Sequence, residues 1–146
     1  MSEFFGIDIK KLNDGGFKFC QTRLIRKVLE ATSTEHCNGL PTPNTVVAPL
    51  GTYYNGSEDK IDWPNSYASV IGMMLYLSSN TKPDTTFFVQ QCSHFTHSTK
   101  ASHETSVKRI LQYLQITTSN GMLFNPLDKL VVVCYYGAYF ERMWVH

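Results

Sequence analysis

Twelve carboxylates, five histidines and four cysteines are the side chains of this 146-residue chain that could hold metals or act as nucleophiles. Asp8, Asp14, Asp59, Asp62, Asp84 and Asp128 are scattered, with no adjacent pair, and most stand beside turns or helix starts, where aspartate commonly serves the backbone. Two-metal phosphoryl chemistry needs several anionic oxygens around cations about 4 Å apart, so no such centre is read here. His94 and His97 can share a helix face with His103 close behind, but Cys92 sits at no zinc-site spacing, and core or surface histidines are the simpler reading. Cys20, Cys37, Cys92 and Cys134 form no C-x-x-C pair, and the chain lacks the G-x-S-x-G elbow of a serine nucleophile. Neither "GTYYNG" nor "NDGG" has the Lys-Ser/Thr ending of a phosphate-cradling loop; both read as turns.

What remains is basic. Lys108 and Arg109, with Lys100 before them and Tyr113 one turn on, could line a groove for a sugar-phosphate backbone, and a solvated helix face would look the same. Thirteen Lys and Arg against twelve Asp and Glu leave a net charge of +1, which excludes a chain dominated by phosphate binding. The start "MSEFFGIDIK" lacks the basic-then-apolar layout of a signal peptide, and runs such as "VIGMMLYL" fall short of the ~20 residues that cross a bilayer. The expectation is an intracellular protein, cytoplasmic or nuclear, with reduced thiols and no membrane contact.

The elements that must position these residues follow from periodicity. "EFFGIDIKKL" and "FKFCQT" around "NDGG" predict a hairpin, with Gly15 and Gly16 supplying positive φ. "QTRLIRKVLEAT" predicts a helix with Leu24, Ile25, Val28 and Leu29 on one stripe, packed on that hairpin. Residues 38 to 64 hold four of the six prolines and read as an extended connection. "NSYASVIGMMLYLSS" predicts a second helix buried through Tyr67, Val70, Ile71, Met74 and Leu75, in which Gly72 suggests close packing. Pro83 and Asp84 suit the first turn of a third, carrying Phe87, Phe88, Gln91 and Phe95. In the fourth, Val107, Ile110, Leu111 and Leu114 recur at i, i+3, i+4 and i+7. "MLFNPLDKLVVVCYY" reads as two strands around an Asn-Pro turn.

The order of "FFGIDIKKLNDGGFKFCQTRLIRKVLEAT", "PTPN", "YASVIGMMLYLSSNTKPDTTFFVQQCSHFT", "SHETSVKRILQYLQITTSNGM" and "DKLVVVCYYGAYFE" resembles copia-type retrotransposon Pol polyproteins. The part resembled, from about Glu3 to Trp144, is the end of the reverse transcriptase and its junction with ribonuclease H. The specific combination is "Y-x-S-x-I-G-x-x-x-Y-L", "T-K-P-D" and "H-E-x-x-x-K-R-I-L-x-Y-L". The resemblance implies an α+β chain with an incomplete fold: residues 1–37 ending the polymerase palm as a hairpin plus helix, 38–64 an extended connection, 65–120 three thumb or connection helices, and 121–146 a truncated start of a ribonuclease H-like sheet. It makes Lys108 and Arg109 the family's basic pair, facing an RNA or DNA template-primer duplex, and makes the remainder of a Pol polyprotein a partner in an intact element.

Departures from the pattern bear on activity. The palm's paired aspartates have no counterpart here, and where the family reads "Y-x-D-A-D-F-A-G" this chain has Gly137 and Tyr139 at the two aspartate positions. The parent family uses Mg²⁺, and without these ligands the resemblance implies a chain with no catalytic residue, no metal and no cofactor of its own: an inactive remnant of an RNA-directed DNA polymerase and ribonuclease H. Lys82 stands where Arg is usual, Ala68 replaces an Arg and Ile116 a Gly. Two other readings stay open: a retained duplex-binding module gripping through Lys100, Lys108 and Arg109, and a small helical protein-interaction domain. The expected core lies at residues 65 to 117, with unpaired sheet edges leaving both ends poorly anchored.

Overall fold

A computed structural model describes residues 2–43, 66–97, 99 and 101–125. It is α+β, with a four-stranded antiparallel sheet in the order β1-β2-β3-β4 and four helices among those residues. The connection beyond residue 43, Lys100, and the strand, Gly137 and Tyr139 expected after residue 125 lie outside the described residues.

The sheet departs from a simple hairpin. The first predicted strand divides into β1 (Ser2–Phe4) and β2 (Ile7–Lys11), because Phe5 and Gly6 take φ of 49° and 74°, the left-handed pair of a two-residue hairpin turn. β3 (Phe17–Cys20) follows a turn in which Gly15 takes φ 87°. Gly16 does not share that conformation; its N–H donates to Asp14 Oδ1 at 3.0 Å instead. β4 (Met122–Phe124) pairs antiparallel with β3, so this last described strand extends the N-terminal sheet. The hairpin edges expected to be bare are thus covered by β1 on one side and β4 on the other.

Register decides which way the sheet faces. Opposed residues share a face, so Ile7, Ile9, Phe17, Phe19, Met122 and Phe124 lie together with Phe4 on one side, and Asp8, Lys10, Lys18 and Cys20 on the other. The helices sit on the second, more polar side: Arg23 of α1 (Thr22–Ala31) pairs with Asp8 at 3.3 Å and with Glu3, while Asp8 and Cys20 are buried. The Tyr76 hydroxyl also donates to the Phe5 carbonyl at 2.7 Å, tying the first turn to α2 (Tyr67–Asn80).

The core is built from helix residues. Ile25, Val28 and Leu29 of α1 meet Val70, Ile71, Met74 and Leu77 of α2, Val89 and Cys92 of α3 (Thr86–Ser93), and Val107, Ile110, Leu111 and Leu114 of α4 (Ala101–Ile116). The α4 stripe is the one its periodicity predicts. Two others shift. Leu75 is 39% exposed while Leu77 is fully buried, and α3 turns Val89 and Cys92 inward while Phe87 stays 44% exposed. Pro83 opens a tight 3-10 turn (Pro83–Thr85) before α3, and of the predicted phenylalanines Phe88 packs against the core and Phe95 is buried, so Phe87 is the one that turns outward. α1 ends on a Schellman motif, with Ser33 at φ 53° and the Thr34 N–H donating to Leu29 O at 3.0 Å.

Gly72 is not a packing site. It is exposed, and a Cβ there meets nothing within 4 Å, so only the helix-propensity cost of glycine remains. Gly72→Ala is therefore expected to raise the unfolding free energy by about 0.5–1 kcal/mol in a urea titration. A destabilised variant would show that something covers that face. Gly39 is the opposite case: a Cβ there would overlap Ile116 Cγ2, so the bulkier residue at 116 is matched by a glycine across from it.

Candidate nucleic-acid interface

Successive residues on a helix are rotated by about 100°, so the basic pair of α4 cannot point one way. Lys108 falls on one edge of the exposed face and Arg109 on the other, beside Tyr113 at i+4. Lys108 is about half exposed, and its Nζ pairs with Glu104 Oε1 at 2.6 Å in the favourable i, i+4 order. Arg109 is half buried; its Nε is enclosed and has no hydrogen-bond partner among the described residues. The Tyr113 hydroxyl donates to Asp84 Oδ2, which pushes its pKa up to about 12, first through that hydrogen bond and then through burial. Of the predicted contacts, then, Arg109 and Tyr113 come together, Lys108 stands apart, and Tyr113 is engaged in holding the 3-10 turn against α4.

The most connected polar site centres on a residue that stands out in the sequence only as a substitution. Lys82 is 3% exposed, and its Nζ donates to the Thr117 carbonyl at 2.6 Å, just past the end of α4. Helix C-terminal carbonyls lack intrahelical donors and carry partial negative charge, so an ammonium there both caps and compensates. Burial lowers the Lys82 pKa, with Asp84 pulling the other way and Lys18 of β3 adding to the lowering. Thr81, the C-cap of α2, donates through Oγ1 to Gln21 Oε1 at 2.8 Å, directly before α1. All four residues of "T-K-P-D" are thus engaged. Thr81 joins α2 to α1, Lys82 closes α4, Pro83 starts the turn and Asp84 receives Tyr113. No spacing in the sequence points to this joint, because the partners of Thr81, Lys82 and Asp84 lie far along the chain.

The remaining candidates are dispersed or packed into the fold. His103 is buried and stacks on Phe95 with ring centroids 4.1 Å apart, while His94 and His97 do not join it. Among the described residues no group of three or more His, Cys, Asp or Glu is placed to hold a metal ion, and no helix is long and apolar enough to cross a membrane. Cys20, Cys37 and Cys92 are free thiols; burial pushes Cys92 up to about 11 and raises Cys37, so both stay protonated at neutral pH.

Similarity to known proteins runs along nearly the whole chain. Over 135 residues, 92% of this chain, it is 30% identical to the retrovirus-related Pol polyprotein from transposon RE1 of Arabidopsis thaliana and 27% identical to that from transposon RE2. It spans 9% of the length of each of those polyproteins. An uncharacterized mitochondrial protein of the same plant is 28% identical over 88% of this chain and 51% of its own length. No family model matches the chain, and no solved structure does.

Proposed function

From a chain homologous over 92% of its length to Pol polyproteins of copia-type retrotransposons, we propose that this is the part of such a polyprotein that holds a template-primer duplex, without polymerase or nuclease chemistry of its own. The observation that carries the reading is how firmly α4 is fixed: Lys82 caps its C-terminus, Tyr113 binds it to Asp84, and Leu111 and Leu114 are fully buried. A helix held this way presents its outer edges, Lys108 and Arg109, as fixed charges. Duplexes of A-like form are gripped by shape and phosphate, and fixed charges suit that contact.

The lack of catalysis of its own is part of the proposal, and the described carboxylates support it. Glu3 and Asp8 are paired to Arg23, Asp84 accepts from Tyr113, and Glu104 is held by Lys108, so these four serve the fold. Gly137 and Tyr139, where the resembling pattern carries aspartates, support the same reading.

Titrating a fluorescent RNA–DNA hybrid with the chain at several salt concentrations tests the proposal. Two phosphate contacts predict a log-log salt slope near about −2, and Lys108→Ala and Arg109→Ala are each expected to reduce its magnitude by about one and to weaken low-salt binding several-fold. Binding that ignores salt, or that both variants leave unchanged, would remove the duplex from this surface.

A further inference from the structure

The outer face of the sheet is apolar and, among the described residues, uncovered. Phe4, Phe17 and Phe124 are 63%, 40% and 51% exposed, and they surround the half-buried Ile9, Phe19 and Met122. Phe19 and Phe124 meet edge to face with centroids 5.0 Å apart, so the side chains form one continuous surface. The helices occupy the opposite side of the sheet, through Asp8, Cys20 and Arg23, and none of the described elements lies over this one. A contiguous apolar patch of this kind on a folded chain marks an interface.

We propose that this face joins two copies of the chain, sheet against sheet, about a two-fold axis. The charge pattern favours this occupant. Among the described residues, Lys11, at one end of β2, is the one charged side chain that register places on the face beside its apolar neighbours, while Lys10 and Lys18 lie on the helix side. A nucleic-acid strand would find a single cation there, and an acidic partner would find little to pair with. An uncharged face complements itself, and a chain of net charge +1 has little self-repulsion to oppose association.

The size is also sufficient. The four strands, of three, five, four and three residues, each residue covering about 4.8 by 3.4 Å, give a flat face of roughly 250 Å², and side-chain relief roughly doubles the accessible area. Two such faces together bury on the order of 1,000 Å², the lower limit for a specific interface, so the expected dimer is a weak one whose population rises with concentration. Sheets packed this way lie about 10 Å apart with strands nearly aligned.

Sedimentation equilibrium of the full chain from roughly 1 to 100 μM decides the matter. The wild type is expected to shift from 16.6 kDa toward twice that mass as concentration rises. Phe4→Glu with Phe17→Glu, at exposed positions of the face that are not cross-strand partners of each other, is expected to raise the dissociation constant at least about tenfold with unchanged helical circular dichroism. Phe87→Glu, an equally exposed aromatic on α3, is expected to leave it unchanged. A chain that stays at monomer mass throughout overturns the proposal, as does a dimer that survives the paired sheet substitutions or is broken by Phe87→Glu.

Discussion

Replacing Lys82 with alanine is expected to lower the unfolding free energy by about 2 kcal/mol, read as a lower urea midpoint at unchanged slope. Three effects combine in that figure. The variant loses a charge-assisted hydrogen bond to the Thr117 carbonyl, leaves that carbonyl unpaired at a buried helix end, and removes a cation from the negative end of α4. Relief of the cost of burying an ammonium offsets part of the loss, which is why the value is not larger. Lys82→Arg keeps the charge and is expected to cost less than alanine. An alanine variant as stable as the wild type would mean that Lys82 is an ornament of the joint and not its fastening.

Above about pH 10 the protein is expected to lose stability at a rate approaching about 1.4 kcal/mol per pH unit from Tyr67 alone. Tyr67 is 7% exposed, and its hydroxyl donates to the Cys92 carbonyl at 3.0 Å; burial is the largest cause of its raised pKa. The fold therefore keeps a proton that the unfolded chain sheds near its ordinary pKa of about 10, and rising pH favours the unfolded state. Tyr113, raised to about 12 by its bond to Asp84, adds a smaller loss over the window between about 10 and 12, smaller because solvent reaches it. Lys82 works in the other sense. Its folded pKa is lowered, so between that value and the ordinary one near about 10.4 the unfolded chain binds the extra proton and rising pH favours the fold. Cys92, pushed up to about 11 by burial, adds a fall that starts near the ordinary thiol pKa of about 8.5, so two tyrosines and a cysteine against one lysine leave a net fall. Combining Tyr67→Phe, Tyr113→Phe and Cys92→Ala should flatten most of it in chemical denaturation at stepped pH, and a fall of unchanged steepness in that variant would contradict the assignment.

What is legible in the sequence is local. The stripe of Val107, Ile110, Leu111 and Leu114 is a single-helix property, and the structure buries all four. The alternation of Ile7 and Ile9 with Asp8 and Lys10 marks two faces, but not which of them meets the helices; the structure puts Asp8 on the helix side, where Arg23 of α1 pairs with it. Leu75 and Phe87 look like core residues because hydrophobicity alone does not tell which face each neighbour will cover. Gly72 inside a helix suggests a close approach, and open space lies there instead.

The "T-K-P-D" motif is legible as a pattern and opaque as physics. Its partners, Gln21, Tyr113 and Thr117, lie 29 to 60 residues away along the chain, and no local spacing announces them. The basic pair is visible in the same limited sense: the sequence shows two cations side by side, and only the rotation of α4 shows that they face apart.

In the function we propose, α4 is the surface that meets a template-primer duplex. The most direct test is photocrosslinking of the full chain to an RNA–DNA hybrid carrying a reactive group on its phosphate backbone, followed by peptide mapping. Crosslinks are expected within Ala101–Ile116 and are expected to be lost in the Lys108→Ala, Arg109→Ala double variant. Crosslinks confined to β1 through β4, or none above those of an unrelated protein of similar charge, would contradict it.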